Sequence, residues 1–329
     1  MKKSIVKFCF LIALMMGMGC GTNGPTVSEV ETKNSPGPEE ITISEDEVAH
    51  TLKYLSSDEL KGRMTGTEGI EKAAEYIENV FRKNNIQPYF ETYRDSFKIE
   101  GITGYNIVGF KEGTDPGLKD QFIIIGAHYD HIGVRELVNG DSIANGANDN
   151  ASGTTAVLEL AKYLSDIKTK RSILFTLYSA EEMGLVGSSL LARRLKEKGI
   201  KPYVMFNIEM VGVPMVGKDY AAYLTGYNLS NLAEKFNAYS GEKVLGFLPR
   251  AKKLQLFRRS DNYPFYEQFH IPAQTISTFD FTNFEYYHHV DDEFSEMNVA
   301  HLTGLIEEII PGIVKMANTP TMEIKLTNP

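Results

Sequence analysis

The sequence of 329 residues contains no tryptophan, and its only cysteines are Cys9 and Cys20. It has no G-x-G-x-x-G or P-loop motif and no internal repeat, so the glycine-rich signatures of dinucleotide and nucleotide binding are missing. The sequence also has no excess of basic residues: its net charge is −9 and its pI is about 5.4. A phosphate-backbone partner needs a basic face, and the sequence therefore predicts no nucleic-acid partner.

The N-terminal apolar run is too short for a comfortable transmembrane helix. Two lysines precede this run, which covers residues 5–18 and has the shape of a signal peptide. Residues 17–21 read GMGCG, and small residues before a cysteine resemble a bacterial lipoprotein signal. We therefore expect 1–20 to be a signal peptide and Cys20 to carry a lipid that anchors the protein to a membrane, in the periplasm or at the cell surface. The alternative is ordinary cleavage, which would release a soluble exported protein.

The composition of the remaining chain indicates one folded domain between two polar segments. Residues 21–43 are rich in Gly, Pro, Ser, Thr and Glu and cannot bury enough apolar surface to become ordered, which predicts a flexible tether. A single domain is expected over 44–318, beginning with the capping-box pattern SEDE at 44–47. Residues 319–329 are expected to be a frayed polar tail. Because the domain contains no cysteine, it must be stable without a disulfide.

Three apolar runs have the composition of strands buried on both faces, and each ends beside residues that can bind a metal. The runs are 121–127 before His128 and Asp130, 172–178 before Glu181 and Glu182, and 203–208 before Glu209. Open α/β sheets place their chemistry beyond the carboxyl ends of their strands. Alone, Glu181 and Glu182 are better explained as exposed charges at the start of a helix over 182–198. Three such endings indicate a shared site instead.

The types of these residues favour a metal site. His128 and Asp130 share a face of an extended segment, and a metal-bound histidine usually donates its other N–H to a carboxylate, so Asp130 is expected to orient His128. Asp149 lies where a strand meets a helix, and a carboxylate there can cap the helix or bridge two cations. His288 lies in an aromatic loop, where it can pack or supply the last ligand. Two histidines with several carboxylates suit zinc, and a shared bridging ligand holds two ions about 3.5–4 Å apart.

Seven segments in this order resemble the M28 family of zinc exopeptidases, of the bacterial aminopeptidase type, over roughly residues 50–318. They are LKGRMTGT at 60–67, GAHYDHIG at 126–133, GANDNASG at 146–153, SAEEMGLVGS at 179–188, FNIEMVG at 206–212, RSDNYPF at 259–265 and YHHVDD at 287–292. The resemblance implies an α/β fold, a three-layer α/β/α sandwich with a mixed, mostly parallel central sheet.

The same resemblance implies roles for the matching residues. Asp149 would bridge two zinc ions, with His128 and Glu209 completing one site and Glu182 and His288 the other. Glu181 would be the general base, and the peptide bond between Asp149 and Asn150 would be cis. Tyr287, Ser260 and Asp261 are expected on the substrate side of the site, and His289 is expected either there or behind the metal ligands.

The implied activity is the hydrolysis of peptide substrates, with an aminopeptidase favoured because a free α-amino group can pair with acidic residues. Two residues depart from the family pattern: Glu209 stands where Asp is commoner, and Val290 stands where Pro is usual. One rival is a single-zinc glutaminyl cyclase, although those enzymes tend to carry tryptophans around the pocket. A second rival is a non-catalytic binding lipoprotein on the same fold. Side-chain preference, peptide length, amino- or carboxypeptidase action and oligomeric state stay open.

Overall fold

A nine-stranded mixed sheet runs through the residues that the computed structural model describes, 41–327. The predicted signal peptide with Cys20, and the tether up to residue 40, lie outside these residues. The strands are β1 Gln87–Pro88, β2 Arg94–Ile99, β3 Ile102–Lys111, β4 Gln121–His128, β5 Gly133–Val138, β6 Asp141–Ala144, β7 Ser172–Tyr178, β8 Lys201–Ile208, β9 Ala222–Leu224, β10 Leu245–Gly246 and β11 Ala273–Ser277. The α-helices are α1 Glu45–Leu55, α2 Glu68–Lys83, α3 Gly153–Asp166, α4 Val186–Glu197, α5 Leu232–Ser240, α6 Pro249–Lys253, α7 Asn262–Phe269 and α8 Val299–Asn318.

The strand order in the sheet is β1-β3-β7-β4-β8-β11-β9-β10, with β2 paired to β3. The four central strands β7, β4, β8 and β11 are parallel to one another, whereas β3 and β9 pair with the outer two of them in antiparallel fashion. The carboxyl ends of the central strands therefore meet at one edge, where α/β sheets place ligands. The predicted α/β fold with a mixed sheet is confirmed.

Helices cover both faces of this sheet. Neighbouring residues of β4 point to opposite faces. Ile125 packs in the cluster that includes helices α1, α2, α3, α5 and α8, whereas Ile124 packs with Leu191 of α4 and Phe265 of α7. Burial on both faces explains why the central strands are continuous apolar runs rather than alternating ones. Within the described residues, no helix has the length and apolar character needed to cross a membrane.

Two segments differ from the expectations, and a third forms a hairpin that the sequence did not predict. The helix expected over 182–198 begins only at Val186, because residues 180–185 form a turn in which Ala180 and Leu185 have positive φ values of 57° and 61°. The polar stretch after His131 folds into the hairpin β5–β6. The end of the chain is not frayed up to residue 327, since Ile324 is buried and its N–H donates to the Tyr203 hydroxyl at 2.8 Å.

Candidate active site

Five side chains meet at the carboxyl edge of the central strands, and we call them the acid–histidine cluster: His128, Asp149, Glu182, Glu209 and His288. Asp149 lies in the middle, with Oδ1 3.3 Å from His128 Nε2 and Oδ2 3.3 Å from His288 Nε2. Glu209 Oε1 lies 3.9 Å from His128 Nε2, and Glu182 Oε2 lies 3.2 Å from His288 Nε2. The cluster thus has two halves that share the Asp149 carboxylate.

Each member of the cluster stands at the end of an element or in a tight turn. His128 is the last residue of β4, and Glu209 directly follows β8. Asp149 lies in the irregular turn Ala147–Ser152 before α3, and the peptide bond between Asp149 and Asn150 is cis, as the family resemblance implies. His288 has a positive φ of 58° in the loop after β11.

Side chains of the Asp149 turn bind the segment after β8. The Asn150 amide donates to the carbonyl of Ile208 at 3.1 Å and accepts from the backbone N–H of Met210 at 2.9 Å. Asn148 Oδ1 accepts from the N–H of Gly212 at 2.9 Å. These contacts fix the distance between Asp149 and Glu209, although the two residues are far apart in sequence.

The cluster has the donors and the charge that a divalent cation requires. His128 Nε2 is buried and has no hydrogen-bond partner, while its Nδ1 bonds the carbonyl of Asp130 at 3.1 Å. Nε2 therefore faces the carboxylates as a free ligand atom. Desolvation raises the pKa of Glu209 to about 7, against the opposing effect of His128. Several carboxylates crowded in a poorly solvated space favour a cation between them, and imidazole with carboxylate suits zinc.

Glu181 lies beside the cluster rather than within its contacts. Desolvation raises its pKa well above the ordinary value of 4.5. The nearby carboxylates of Glu209 and Asp261 raise that pKa further, while His128 opposes the rise. Glu181 is thus a partly buried carboxylate that takes up a proton more readily than one in water, which suits proton transfer.

The role expected for Asp130 needs correction. Its carboxylate Oδ1 lies 3.8 Å from His128 Nδ1, farther than its own carbonyl oxygen, which accepts the hydrogen bond. The carboxylate instead accepts from the backbone N–H groups of Glu181 at 3.2 Å and Glu182 at 3.4 Å. Asp130 therefore orients His128 through its backbone and holds the two-glutamate turn through its side chain.

Two of the residues expected to contact substrate lie beneath the cluster instead. Ser260 and Asp261 are fully buried, and Ser260 Oγ accepts from the side-chain amide of Asn207 at 2.9 Å. Neither Asp261 oxygen has a hydrogen-bond partner, and desolvation raises the pKa of Asp261 to about 7. The expectation of substrate contact is therefore wrong for both, because their side chains are buried.

The other two lie where a substrate can reach them. The Tyr287 ring stacks on His288 with 4.0 Å between ring centroids, and it lines a small cavity beside Glu209. His289 is part-exposed, and its Nδ1 accepts from the N–H of Asp291 at 3.2 Å. The cavity is lined by Glu209, Met210, Tyr223, Thr225, Leu256, Arg259, Thr275, Ser277, Phe279, Phe281 and Tyr287.

His131 was not predicted as a site residue, yet it contacts the cluster directly. Its Nδ1 lies 2.9 Å from Glu182 Oε1 and 3.8 Å from Asp149 Oδ2. The ring is fully buried against Gly146, where a Cβ atom would lie 2.5 Å from His131 Cδ2. The sequence carried a signal, because His131 belongs to the same GAHYDHIG segment as His128.

Arg63 is also more important than its sequence position indicates. It lies in the polar segment 56–67, yet its side chain is 1% exposed. It donates to backbone carbonyls of Leu55, Tyr129, Asn145 and Gly146. Arg63 thus joins the segments that carry His131 and Asp149.

Comparison with known proteins agrees with this geometry. The profile of peptidase family M28 matches residues 106–310, which is more than half of the chain. Aminopeptidase YwaD of Bacillus subtilis (strain 168) is 34% identical over 168 residues, which are 50% of this chain and 34% of that protein. The match therefore spans about a third of the length of this relative.

Solved structures share the fold at low identity. BSAP, described as a zinc aminopeptidase from Bacillus subtilis, has a TM-score of 0.66 and 17% identity, covering 84% of this chain and 96% of that one. A Porphyromonas gingivalis glutaminyl cyclase has a TM-score of 0.63 and 16% identity, covering 83% and 98%. At these identities the likeness establishes the fold, which a peptidase and a cyclase have in common.

Proposed function

The chain belongs to peptidase family M28, and from this premise we propose that it is a zinc-dependent aminopeptidase that releases N-terminal residues from peptides. One observation carries the proposal: the Asp149 carboxylate lies between His128 and His288, 3.3 Å from each imidazole. A carboxylate with one oxygen directed to each half of a symmetric donor set is suited to bridging two ions.

Two zinc ions are the proposed cofactors. His128, Asp149 and Glu209 would hold one ion, and Asp149, Glu182 and His288 the other. When bound, zinc supplies a Lewis acid that polarises a carbonyl oxygen and lowers the pKa of a water molecule. Glu209, which is longer than the commoner Asp, reaches within 3.9 Å of His128 Nε2, so its length is compatible with this half of the cluster.

Glu181 is the proposed general base. Its carboxylate would accept the proton of the attacking water and then donate it to the leaving amine. The raised pKa of Glu181 supports both steps. A carboxylate with an ordinary pKa is a weaker base for the water and a poor proton donor near neutral pH. Asp130 would hold Glu181 in place through the 3.2 Å hydrogen bond from the Glu181 N–H.

The proposed specificity for the N-terminus follows from charge. A free α-amino group is cationic, and partly buried carboxylates such as Glu181 and Glu209 stabilise a nearby cation. The cavity beside Glu209, of about 40 Å³, would take the side chain of a small first residue. N-acetylation of a peptide should therefore abolish its cleavage, whereas C-terminal amidation should be tolerated.

Export and membrane attachment are further parts of the proposal. The two lysines and the apolar run before Cys20 support an exported lipoprotein. Metabolic labelling with a radioactive fatty acid tests the anchor, because the label should appear on the protein and disappear in Cys20→Ser. Labelling that persists in Cys20→Ser would place the lipid elsewhere.

Metal analysis combined with a substrate screen tests the function. We expect about two zinc ions per chain, hydrolysis of aminoacyl amides and unblocked peptides, loss of activity with a chelator and recovery with zinc. One zinc per chain, with cyclisation of N-terminal glutamine and no hydrolysis, would instead identify a glutaminyl cyclase. Hydrolysis whose rate does not change when a chelator is added would contradict the metal-dependent mechanism.

A further inference from the structure

A groove of about 550 Å³ runs between the β5–β6 hairpin and the loop that carries His288. It is lined by Val134, Arg135, Glu136, Val138, His288, His289 and Val290. His288 thus belongs both to the acid–histidine cluster and to the wall of the groove. The groove reaches the acid–histidine cluster at His288, whereas the cavity beside Glu209 reaches the cluster at Glu209.

The hairpin exposes large apolar side chains. Leu137 is 71% exposed and Val134 is 57% exposed. Met64, which is 41% exposed, packs against Gly133, the first residue of the hairpin. The packing is close, because a Cβ atom added to Gly133 would lie 2.7 Å from the Cβ atom of Met64. Exposed apolar side chains that are grouped at the rim of a site, rather than scattered singly, indicate a surface that binds a ligand or another protein.

The backbone of β5 is irregular where these side chains stand. Val134 pairs with Ile143 and Val138 pairs with Asp141, so residues 135–137 stand opposite Ser142 alone. This two-stranded sheet therefore contains a bulge, and bulges next to active sites re-aim side chains and interrupt pairing. A short sheet with open edges can accept an extended peptide as an additional strand.

We propose that the hairpin is the docking surface for the part of a peptide substrate that follows the cleaved bond, held extended with apolar side chains against Val134 in the groove wall and against the exposed Leu137 of the same strand. This inference rests on the proposed peptidase function and narrows its substrates to oligopeptides. A peptide whose first side chain enters the cavity at Glu209 needs a path for the rest of its chain. That cavity is lined largely by buried residues such as Tyr223 and Phe279, whereas the groove at His288 has exposed walls.

The dimensions of the hairpin fit several substrate residues. β5 has six residues, which at roughly 3.3 Å per residue span roughly 20 Å. An aminoacyl amide with a small leaving group is too short to contact this surface. Cleavage efficiency should therefore increase with the number of apolar residues after the first one.

The experiment compares kcat/KM for one aminoacyl amide with kcat/KM for di-, tri- and pentapeptides that share its first residue and continue with apolar residues. In the zinc-loaded wild type, kcat/KM should increase by about tenfold or more from dipeptide to pentapeptide, from apolar contact alone. The double variant Val134→Ser/Leu137→Ser should lose most of this increase and hydrolyse the amide within about twofold of the wild type.

Val216→Ser is the matched control, because Val216 is 75% exposed and lies outside the hairpin. It should leave both the amide and the peptide series unchanged. Equal efficiency for all lengths, or an equal loss of amide and pentapeptide hydrolysis in the double variant, would overturn the inference while amide hydrolysis still supports the peptidase. A dimer that the double variant dissociates, with length preference unchanged, would assign the hairpin to a second copy and also overturn it. No hydrolysis of any substrate would refute the proposed function itself.

Discussion

The carboxylate of Asp292, four residues after His288, accepts a hydrogen bond of 3.0 Å from the backbone N–H of Asp149. Its other oxygen accepts from the N–H of Asn148 at 2.7 Å. The loop that carries His288 is thereby bound to the turn that carries the central carboxylate of the cluster. Partners of this kind set the position of a metal ligand without touching the metal.

Asp292→Asn should weaken zinc binding by about 10- to 100-fold, the usual effect of removing a group that orients a ligand. An amide has one acceptor oxygen, so one of the two buried N–H groups would lose its partner. Competition with a chelator measures the zinc affinity. Asp291→Asn is the control, since Asp291 is the exposed neighbour of Asp292. This variant should bind zinc with the affinity of the wild type. Equal affinities for the two variants would show that Asp292 does not position the cluster.

His131→Leu should reduce zinc binding at the half of the cluster formed by Glu182 and His288. Leucine leaves Glu182 Oε1 without the partner that lies 2.9 Å away, so the carboxylate loses its fixed orientation. The measurements are zinc per chain at limiting zinc and the visible spectrum after cobalt substitution. His131→Gln, which keeps a donor, should recover part of the binding, and the exposed His50→Leu should have no effect. Normal zinc content and an unaltered spectrum in His131→Leu would refute this role.

Glu181→Gln should lower kcat by about 10²- to 10⁴-fold, the range that general acid–base catalysis contributes. Zinc content should remain normal, because Glu181 is not a proposed ligand. Single-turnover hydrolysis of an aminoacyl amide, with zinc analysis of the same sample, checks both statements. Glu197→Gln, on the exposed face of α4, serves as the control. A loss of zinc together with activity would make Glu181 a ligand rather than a base.

His301 in α8 should make stability depend on pH. Burial lowers the pKa of His301 below its ordinary value of 6.5, and its Nε2 has no hydrogen-bond partner. The unfolded chain therefore binds this proton more readily than the folded one, so stability is lost as the pH falls from about 6.5 toward the lower folded pKa.

His301→Gln should remove that dependence. Denaturant unfolding at several pH values between 5 and 8 measures it, and the variant should gain stability relative to the wild type as the pH falls. Comparing the two proteins at each pH cancels contributions from the cluster, which both contain. A difference between them that does not change with pH would contradict the prediction.

The positions of three cluster residues, His128, Glu182 and Glu209, could be predicted because the sequence marks the ends of buried strands. A run such as 203–208 is apolar on both faces, so its end and the acidic Glu209 are visible without coordinates. His288 depended on the family resemblance, since nothing about an aromatic loop indicates that it returns to the strand ends. The parallel centre of the sheet follows from the same apolar runs, which need cover on both faces.

Contacts to backbone groups could not be predicted in the same way. Asp292 binds two N–H groups, and such partners leave no periodicity or motif in the sequence. Ser260 and Asp261 were expected on the substrate side, but their burial depends on how α7 packs over β11. The hairpin escaped notice because its bulge disrupts the alternation that marks a strand.

Arg63 has a consequence for anyone who would transplant this arrangement to another scaffold. Its guanidinium donates to the carbonyls of Leu55, Tyr129, Asn145 and Gly146, so copying the cluster residues alone would leave those oxygens without donors. Lysine offers a single ammonium and cannot reproduce that planar fork. A functional copy of the site in another scaffold would therefore have to contain Arg63 together with the strand ends that carry the cluster.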